Sequence, residues 1–451
     1  MRSIVVLIFT AYFMIMAMKS SFVAMLLYWW FAIFRPQDWI WWDVSILRLP
    51  LIAALIFFIP ALFRGYVPRI KDKLSLCFLL WIVIALIANF TNGCTVASGI
   101  KAAIVAMPVL IYTVLLTERV IETKAHVVAL MLTIALSLGF HSGKSGVNSL
   151  LQGGVSNYGA ENLTGLFSGS NAYALGTGML VFFMIFIYQQ AKSNPSIMPV
   201  IFSKNNRLKY FKIIMLIIIA GSIYNIVSLS SRGASLATFA GFVGFFMMKP
   251  NGVKHVLMIL PFLVVSFFII PLPEGYKERI ESVFVEEEEL DHSAKSRGHF
   301  WETAKRMADH NPVGIGAGCY SSYYDLYDYS NGFYGSKRSV HSSHFQILAE
   351  TGYIGFIIWV VLFVVSYIKL FKLRMMAYRF HDSLDPNGFY KQISETLICA
   401  QTVFLLGGSF YELAYSDLIW LIWAVVICLI RLMNFDIENL NVKNDGKISR
   451  L

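Results

Sequence analysis

Apolar residues in this chain come in long runs rather than in alternation. Measured against the roughly 20 residues a helix needs to cross a bilayer, candidate spans fall at 47–63, 74–90, 99–116, 127–140, 172–188, 211–227, 236–248, 256–270, 345–368, 396–410 and 418–432. Two shorter runs, 4–18 and 22–34, precede them; separated only by Lys19, Ser20 and Ser21, they read either as two spans or as one bent, partly re-entrant element. Arg2 followed by an apolar stretch imitates a signal peptide, but further apolar runs follow at once, so the segment reads as an uncleaved membrane element. The pattern predicts an all-α polytopic membrane protein with 12 or 13 transmembrane helices.

The polar breaks between these runs orient the chain. Basic residues cluster at Arg64, Arg69, Lys71 and Lys73, at Lys192, Lys204, Arg207, Lys209 and Lys212, and at Lys369, Lys372, Arg374, Arg379 and Lys391. Loops rich in Lys and Arg stay cytoplasmic, so segments 35–46, 91–98, 141–170 and 271–344 are expected on the opposite face. The division that results is 1–270 for the N-terminal helices with a glycine-rich outer loop at 141–170, 271–344 for a large outer loop with amphipathic helices, 345–433 for the C-terminal helices, and 434–451 for a cytoplasmic tail.

Composition supports the same picture. Of 451 residues, 57% are hydrophobic and 14% charged, whereas a soluble domain carries about a quarter charged residues. The formal charge of +10 would suggest a nucleic-acid partner in a soluble chain; here the basic residues sit in short loops between spans, and no nucleic acid is implied. Five cysteines are too few for a disulfide framework, although Cys94 and Cys319 both fall on the outer face and could pair there. No CxxC, HExxH or Walker pattern occurs. The acidic run Glu286 to Glu289 reads as a solvated strip.

Polar chemistry survives beside the apolar runs in three places. From His141 through Lys144, Gly153 and Gly154 to Gly169-Ser-Asn171, dense glycine frees backbone donors for an anion, with Lys144 as either a phosphate contact or part of a flexible loop; Ser170 or Asn171 is placed to cap the next span. Ser228-Leu-Ser-Ser-Arg232-Gly puts a guanidinium at the outer membrane edge, where it either grips an anion bidentately or snorkels to headgroups. In the large outer loop, Phe300, Ala304, Met307 and Ala308 recur near helical spacing, capped by Ser293 or Ser296 and ending near Asn311-Pro312. Arg297 would lie in its first turn, beside helix N-terminal amides that favour anions. Gly314-Ile-Gly-Ala-Gly then makes a turn, and the tyrosines from Tyr320 to Tyr334 supply aromatic surface. His341 and His344, at i and i+3, are too few for a metal site; at a dry membrane edge a histidine serves either as a general base or as a structural group.

In this order, the segments resemble the O-antigen ligase and polymerase superfamily of membrane glycosyltransferases, over about residues 20 to 410. The resemblance rests on His341-Ser-Ser-His344-Phe-Gln-Ile-Leu-Ala-Glu-Thr-Gly-Tyr-Ile-Gly, on Ser231-Arg232-Gly, on Arg297-x-x-x-Trp301 and on Asn311-Pro-Val-Gly-Ile-Gly. Ser342 stands where the family commonly has Asn. Arg35-Pro-Gln-Asp-Trp, Lys144-Ser-Gly, Gly169-Ser-Asn-Ala and Tyr276-Lys-Glu-Arg-Ile are similar to a subgroup, the O-glycosylation ligases associated with exosortase systems.

The resemblance implies a GT-C-like helical bundle. It also implies transfer of a glycan from an undecaprenyl diphosphate carrier at the periplasmic face of a bacterial inner membrane, without metal or other cofactor. Arg232 and Arg297 would hold the diphosphate and His341 would deprotonate the acceptor, with Lys144, Asn171, Trp301 and His344 as further substrate contacts. Acceptors consistent with it are a lipid A-core sugar (a ligase), a growing polysaccharide end (a polymerase) and a protein Ser or Thr. The competing class is a transporter of lipid-linked sugars, which would carry its ionisable residues near the bilayer midplane.

Overall fold

A computed structural model describes residues 2–39, 44, 47–92, 107–155, 169–203, 205–258 and 292–443. Among them the secondary structure is helical, without strands. The principal helices are α1 (Arg2–Lys19), α2 (Ser21–Ile33), α3 (Leu49–Phe63), α4 (Lys73–Thr91), α5 (Met107–Val120), α6 (Lys124–Ile134), α7 (Phe140–Leu151) and α8 (Ser170–Ser193). They continue as α9 (Asn205–Ser228), α10 (Arg232–Met247), α11 (His292–His310), α12 (Tyr320–Tyr327), α13 (Ser343–Arg379), α14 (Phe389–Gly407) and α15 (Asp417–Lys443).

Six helical stretches among the described residues are long and apolar enough to cross a membrane: Lys73–Thr91, Lys124–Leu151, Ser170–Ser193, Asn206–Ser228, Ser343–Arg379 and Asp417–Asn441. The protein is a multi-pass membrane protein. α3 and α10 are apolar but shorter than these six, with 15 and 16 residues. The two N-terminal runs are separate helices: Ser20 ends α1 and caps α2, accepting from the Val23 amide, and Phe9 of α1 meets Trp30 of α2 at 5.6 Å. The expected span at 99–116 lies partly outside the described residues, as do most of 256–270, the acidic run, Tyr276 and Cys94.

The glycine-rich segment after Phe140 differs from its sequence reading. It remains helical to Leu151, joined to α6 through a π-helical turn at Ala135–Gly139. Glycine serves close packing here: a side-chain carbon on Gly146 would run into the Gly221 carbonyl of α9.

The bundle has two polar ends. At one, Lys369 pairs with Asp72 at 2.7 Å, Arg431 with Glu118 at 2.8 Å and Lys124 with Asp436 at 2.9 Å. Glu395, its side chain wholly buried, is held there by Arg374 at 3.1 Å and by Lys249, so the expected span at 396–410 is the apolar continuation of a helix that starts in this charged layer. A buried carboxylate lacking such partners would be severely destabilising. Between the ends, Trp81, Trp359, Trp420 and Trp423 pack ring to ring at 4.8–6.1 Å across α4, α13 and α15.

At the far end of α4 and α13 a short subdomain of α11 and α12 rests on the bundle. Phe300, Ala304, Met307, Tyr320 and Tyr324 form its core. The aromatic surface expected of the tyrosines is therefore partly interior: Tyr320 and Tyr324 are fully buried. Cys319 is disulfide-bonded, whereas Cys77, Cys399 and Cys428 are free.

The subdomain is attached backbone to backbone. The amides of Ile315 and Gly316 donate to the carbonyls of Ala349 and Glu350 at 3.0 Å, and that of Tyr353 donates to Pro312 at 3.2 Å. Gly352, at φ 66° and ψ −173°, breaks α13 at this crossing, a conformation essentially confined to glycine. A side-chain carbon on Gly352 would also strike the Pro312 carbonyl. Gly352→Ala is expected to destabilise the protein by at least about 1–3 kcal/mol, measured as a lower melting temperature in detergent; Gly244→Ala in α10, where an added side-chain carbon meets nothing within 4 Å, should be far milder.

Candidate functional site

Arg232, Arg297 and His341 come from three elements that meet at the subdomain end of the bundle. Arg232 is the first residue of α10. Ser231, just before it, would ordinarily cap the helix with its side chain; instead its hydroxyl shares a 2.7 Å hydrogen bond with Tyr411. Gly233 leaves the space the tyrosine occupies, since a side-chain carbon there would lie 2.8 Å from the Tyr411 hydroxyl and 3.0 Å from the Phe410 ring. The Ser-Arg-Gly triplet is thus a seat for Tyr411 that fixes where Arg232 begins. Burial pushes the Tyr411 hydroxyl pKa up, opposed by the Ser231 bond and by the positive charges of Arg297 and Arg232, which both reach it.

Arg297 sits on α11, in its second turn rather than the expected first, and Ser296 is buried within the helix rather than capping it. Arg297 is partly buried and has no carboxylate partner among the described residues. A cation so placed is stabilised by an anionic ligand. Four residues on, Trp301 stacks on Phe345 at 5.3 Å and 9°, its indole N–H buried without a partner among the described residues.

His341 precedes α13 in the left-handed region, at φ 52°, which is uncommon for a non-glycine residue. Ser342 follows as the N-cap, accepting from the Phe345 amide at 3.4 Å; Ser and Asn are nearly equivalent caps, which explains why Ser serves at a position where Asn is common. The imidazole lies 5.8 Å from the Phe300 ring, and Arg338 lies over the same ring at 5.6 Å. Burial, then the charges of Arg297 and Arg338, hold the His341 pKa below its ordinary value. Its ring nitrogens make no hydrogen bond to the protein among the described residues.

His344 is placed differently. Its Nε2 donates to the Leu405 carbonyl at 2.8 Å and its Nδ1 accepts from the Trp359 indole at 3.2 Å, so both nitrogens are occupied within the bundle. Asn171 is exposed in the first turn of α8; the cap position falls on Gly169, without a side-chain bond. Lys144 lies on α7 beside α1 and α2, and no contact among the described residues joins it to the cluster around Tyr411.

Three contributors are missing from the sequence reading. The Gly408–Ser416 segment carries Tyr411 and Glu412 and is laced to the start of α13: the Ser343 amide donates to Gly408 at 2.7 Å, and the Ser343 hydroxyl donates to the Tyr411 carbonyl at 2.7 Å. Glu412 accepts from Gln346 at 3.1 Å and from the Ser339 hydroxyl. Burial pushes its pKa up, against the Ser339 and Val340 bonds. Arg338, the third, was one exposed cation among many in a polar loop. An ionisable pair, Tyr411-Glu412, directly after an apolar run was the available signal.

The charges of Arg297 and Arg338 act on His341 and those of Arg297 and Arg232 on Tyr411, a cationic surround that would favour an anion beside an imidazole whose charged form burial disfavours. Comparison with known proteins gives two family matches. The family described as O-Antigen ligase matches residues 216–360, and a family of unknown function matches residues 1–190. No curated protein matches the chain. Ser231-Arg232-Gly, the Arg297 helix and the His341 block all lie inside the first of these stretches, so it is over residues 216–360 that the chain is similar to the O-Antigen ligase family.

Proposed function

We propose that the protein transfers a glycan from an undecaprenyl diphosphate carrier to an acceptor hydroxyl at the periplasmic face of a bacterial inner membrane. The observation that carries this reading is the pairing of Arg297, partly buried without a carboxylate, with His341, whose nitrogens are unclaimed by the protein among the described residues. In the reaction, the acceptor oxygen forms a bond to the anomeric carbon as its proton passes to a ring nitrogen of His341. The anomeric C–O bond to the diphosphate breaks, and the electron pair leaves with the diphosphate, whose charge Arg232 and Arg297 stabilise. Direct displacement inverts the anomeric configuration. Planar guanidinium groups suit phosphate oxygens because each presents parallel donors.

Two observations support the orientation. The disulfide at Cys319 favours an oxidising compartment for the subdomain, and the basic loops gather at the opposite end of the bundle. Trp301, beside Arg297 with an unpartnered indole N–H, is proposed as a substrate contact. His344, with both nitrogens occupied, acts as a positioning residue for the start of α13.

Ligation to a lipid A-core sugar is the favoured outcome, ahead of polymerisation and of transfer to a protein Ser or Thr. Purified protein incubated in chelator with an undecaprenyl diphosphate glycan and each acceptor separates them by product mass: one capped lipid, a ladder of lengths, or a glycoprotein. Carrier appearing across a sealed vesicle without any new glycosidic bond would instead indicate a transporter.

A further inference from the structure

The N-terminal third holds a cavity that plays no part in the reaction above. It lies between the α1–α2 hairpin and the rod made by α6, the π turn and α7, and has a volume of about 620 Å³, within the roughly 300–1,000 Å³ typical of ligand pockets. Phe9, Phe13, Trp30, Phe34 and Phe140 form much of its wall. The hydroxyls of Thr133 and Ser137, which also face it, are spent on carbonyls of their own helix, Ala129 at 2.8 Å and Ile134 at 2.9 Å. The wall is therefore effectively apolar.

The cavity has a charged end. Phe22 of α2 stacks on His126 of α6 at 3.9 Å, so these helices start together and run the same way, which brings Phe34 and Lys144 to a common far end. His141, also lining the cavity, is tied to the Tyr173 hydroxyl at 2.7 Å. Lys144 is exposed, is the one Lys, Arg, Asp or Glu among the lining residues described, and has no ion pair or hydrogen bond among the described residues. Hydrocarbon walls capped by an unpaired ammonium match an amphiphile with acyl chains and an anionic head. In a bilayer, such a space fills with lipid, and a lysine at headgroup level biases which lipid enters.

We propose that this cavity is a binding site for an anionic phospholipid, its chains between α1–α2 and α6–α7 and its phosphate at Lys144 Nζ. Every lining residue falls within 1–190, the stretch shared with a family of unknown function, so that region gains a task of its own. The proposal does not depend on the glycosyl-transfer reading.

Trp30, inside the cavity, provides the readout. Full-length protein is reconstituted in phosphatidylcholine vesicles containing either phosphatidylglycerol or phosphatidylcholine with brominated chains, and Trp30 quenching is taken as the difference between wild type and Trp30→Phe. Brominated phosphatidylglycerol should quench at an about fivefold lower mole fraction than brominated phosphatidylcholine, the bias of one cation near an anionic headgroup. Lys144→Gln should erase that preference and Lys144→Arg should keep it. Equal quenching by the two lipids in wild type, or a preference that survives Lys144→Gln, would overturn the proposal.

Discussion

His341→Ala is expected to lower glycan transfer by roughly 10²- to 10⁴-fold, the usual contribution of a general base, with protein level and melting temperature near those of wild type. The variant removes a ring that touches Phe300 but supports no hydrogen bond among the described residues, so a structural role predicts little change in turnover. The pH profile makes a sharper test. A base must be neutral to accept a proton, and burial together with Arg297 and Arg338 lowers the His341 pKa. Transfer should therefore persist below the pH at which an ordinary histidine becomes charged, then fall as pH drops through the lowered pKa. Arg338→Gln removes one of the opposing charges and should move that acid limb to higher pH. An unchanged limb in Arg338→Gln, or wild-type turnover in His341→Ala, would reject the assignment.

Arg232→Ala and Arg297→Ala should each reduce transfer by roughly 10²- to 10³-fold, comparable with the loss of one donor to a developing negative charge. Lys at either position should restore only part of the rate, because an ammonium cannot present the parallel donors of a guanidinium. Both positive charges act on the Tyr411 hydroxyl, opposing the rise in its pKa that burial causes. Groups acting on one diphosphate are not independent, so the double variant should lose less than the product of the single losses. Strictly multiplicative losses would argue that the two arginines serve different ligands. Turnover measured at saturating carrier distinguishes weaker binding from weaker stabilisation of the departing diphosphate.

Much of the bundle is legible from hydrophobic runs alone. The stretches at 74–90, 127–140, 172–188, 211–227, 345–368 and 418–432 all fall inside helices long enough to cross a membrane, because an apolar run near 20 residues has few other stable solutions. The end of α11 before Asn311-Pro312 was equally plain. Tertiary partners were not. Gly143 and Gly146 look like loop residues until Gly221, distant in sequence, is seen against them. Tyr320 and Tyr324 look like surface until the small core under α11 is in view. Tyr411 bears on Arg232 only because a segment near the end of the chain folds back to Ser231. Local pattern carries no record of such long-range pairings, and the arrangement around Arg232 depends on them.

The joint between Pro312–Gly316 and Ala349–Tyr353 has a bearing on how this molecule can be re-engineered. Two backbones interlock there with no room for side chains at Gly314 or Gly352, so either strip of sequence is meaningful only with its counterpart. A hybrid that imports the outer segment from a relative while retaining the recipient's own helix corner inherits half of a mortise without its tenon. Exchanges bounded so that both halves travel as a set are the ones expected to yield working chimaeras.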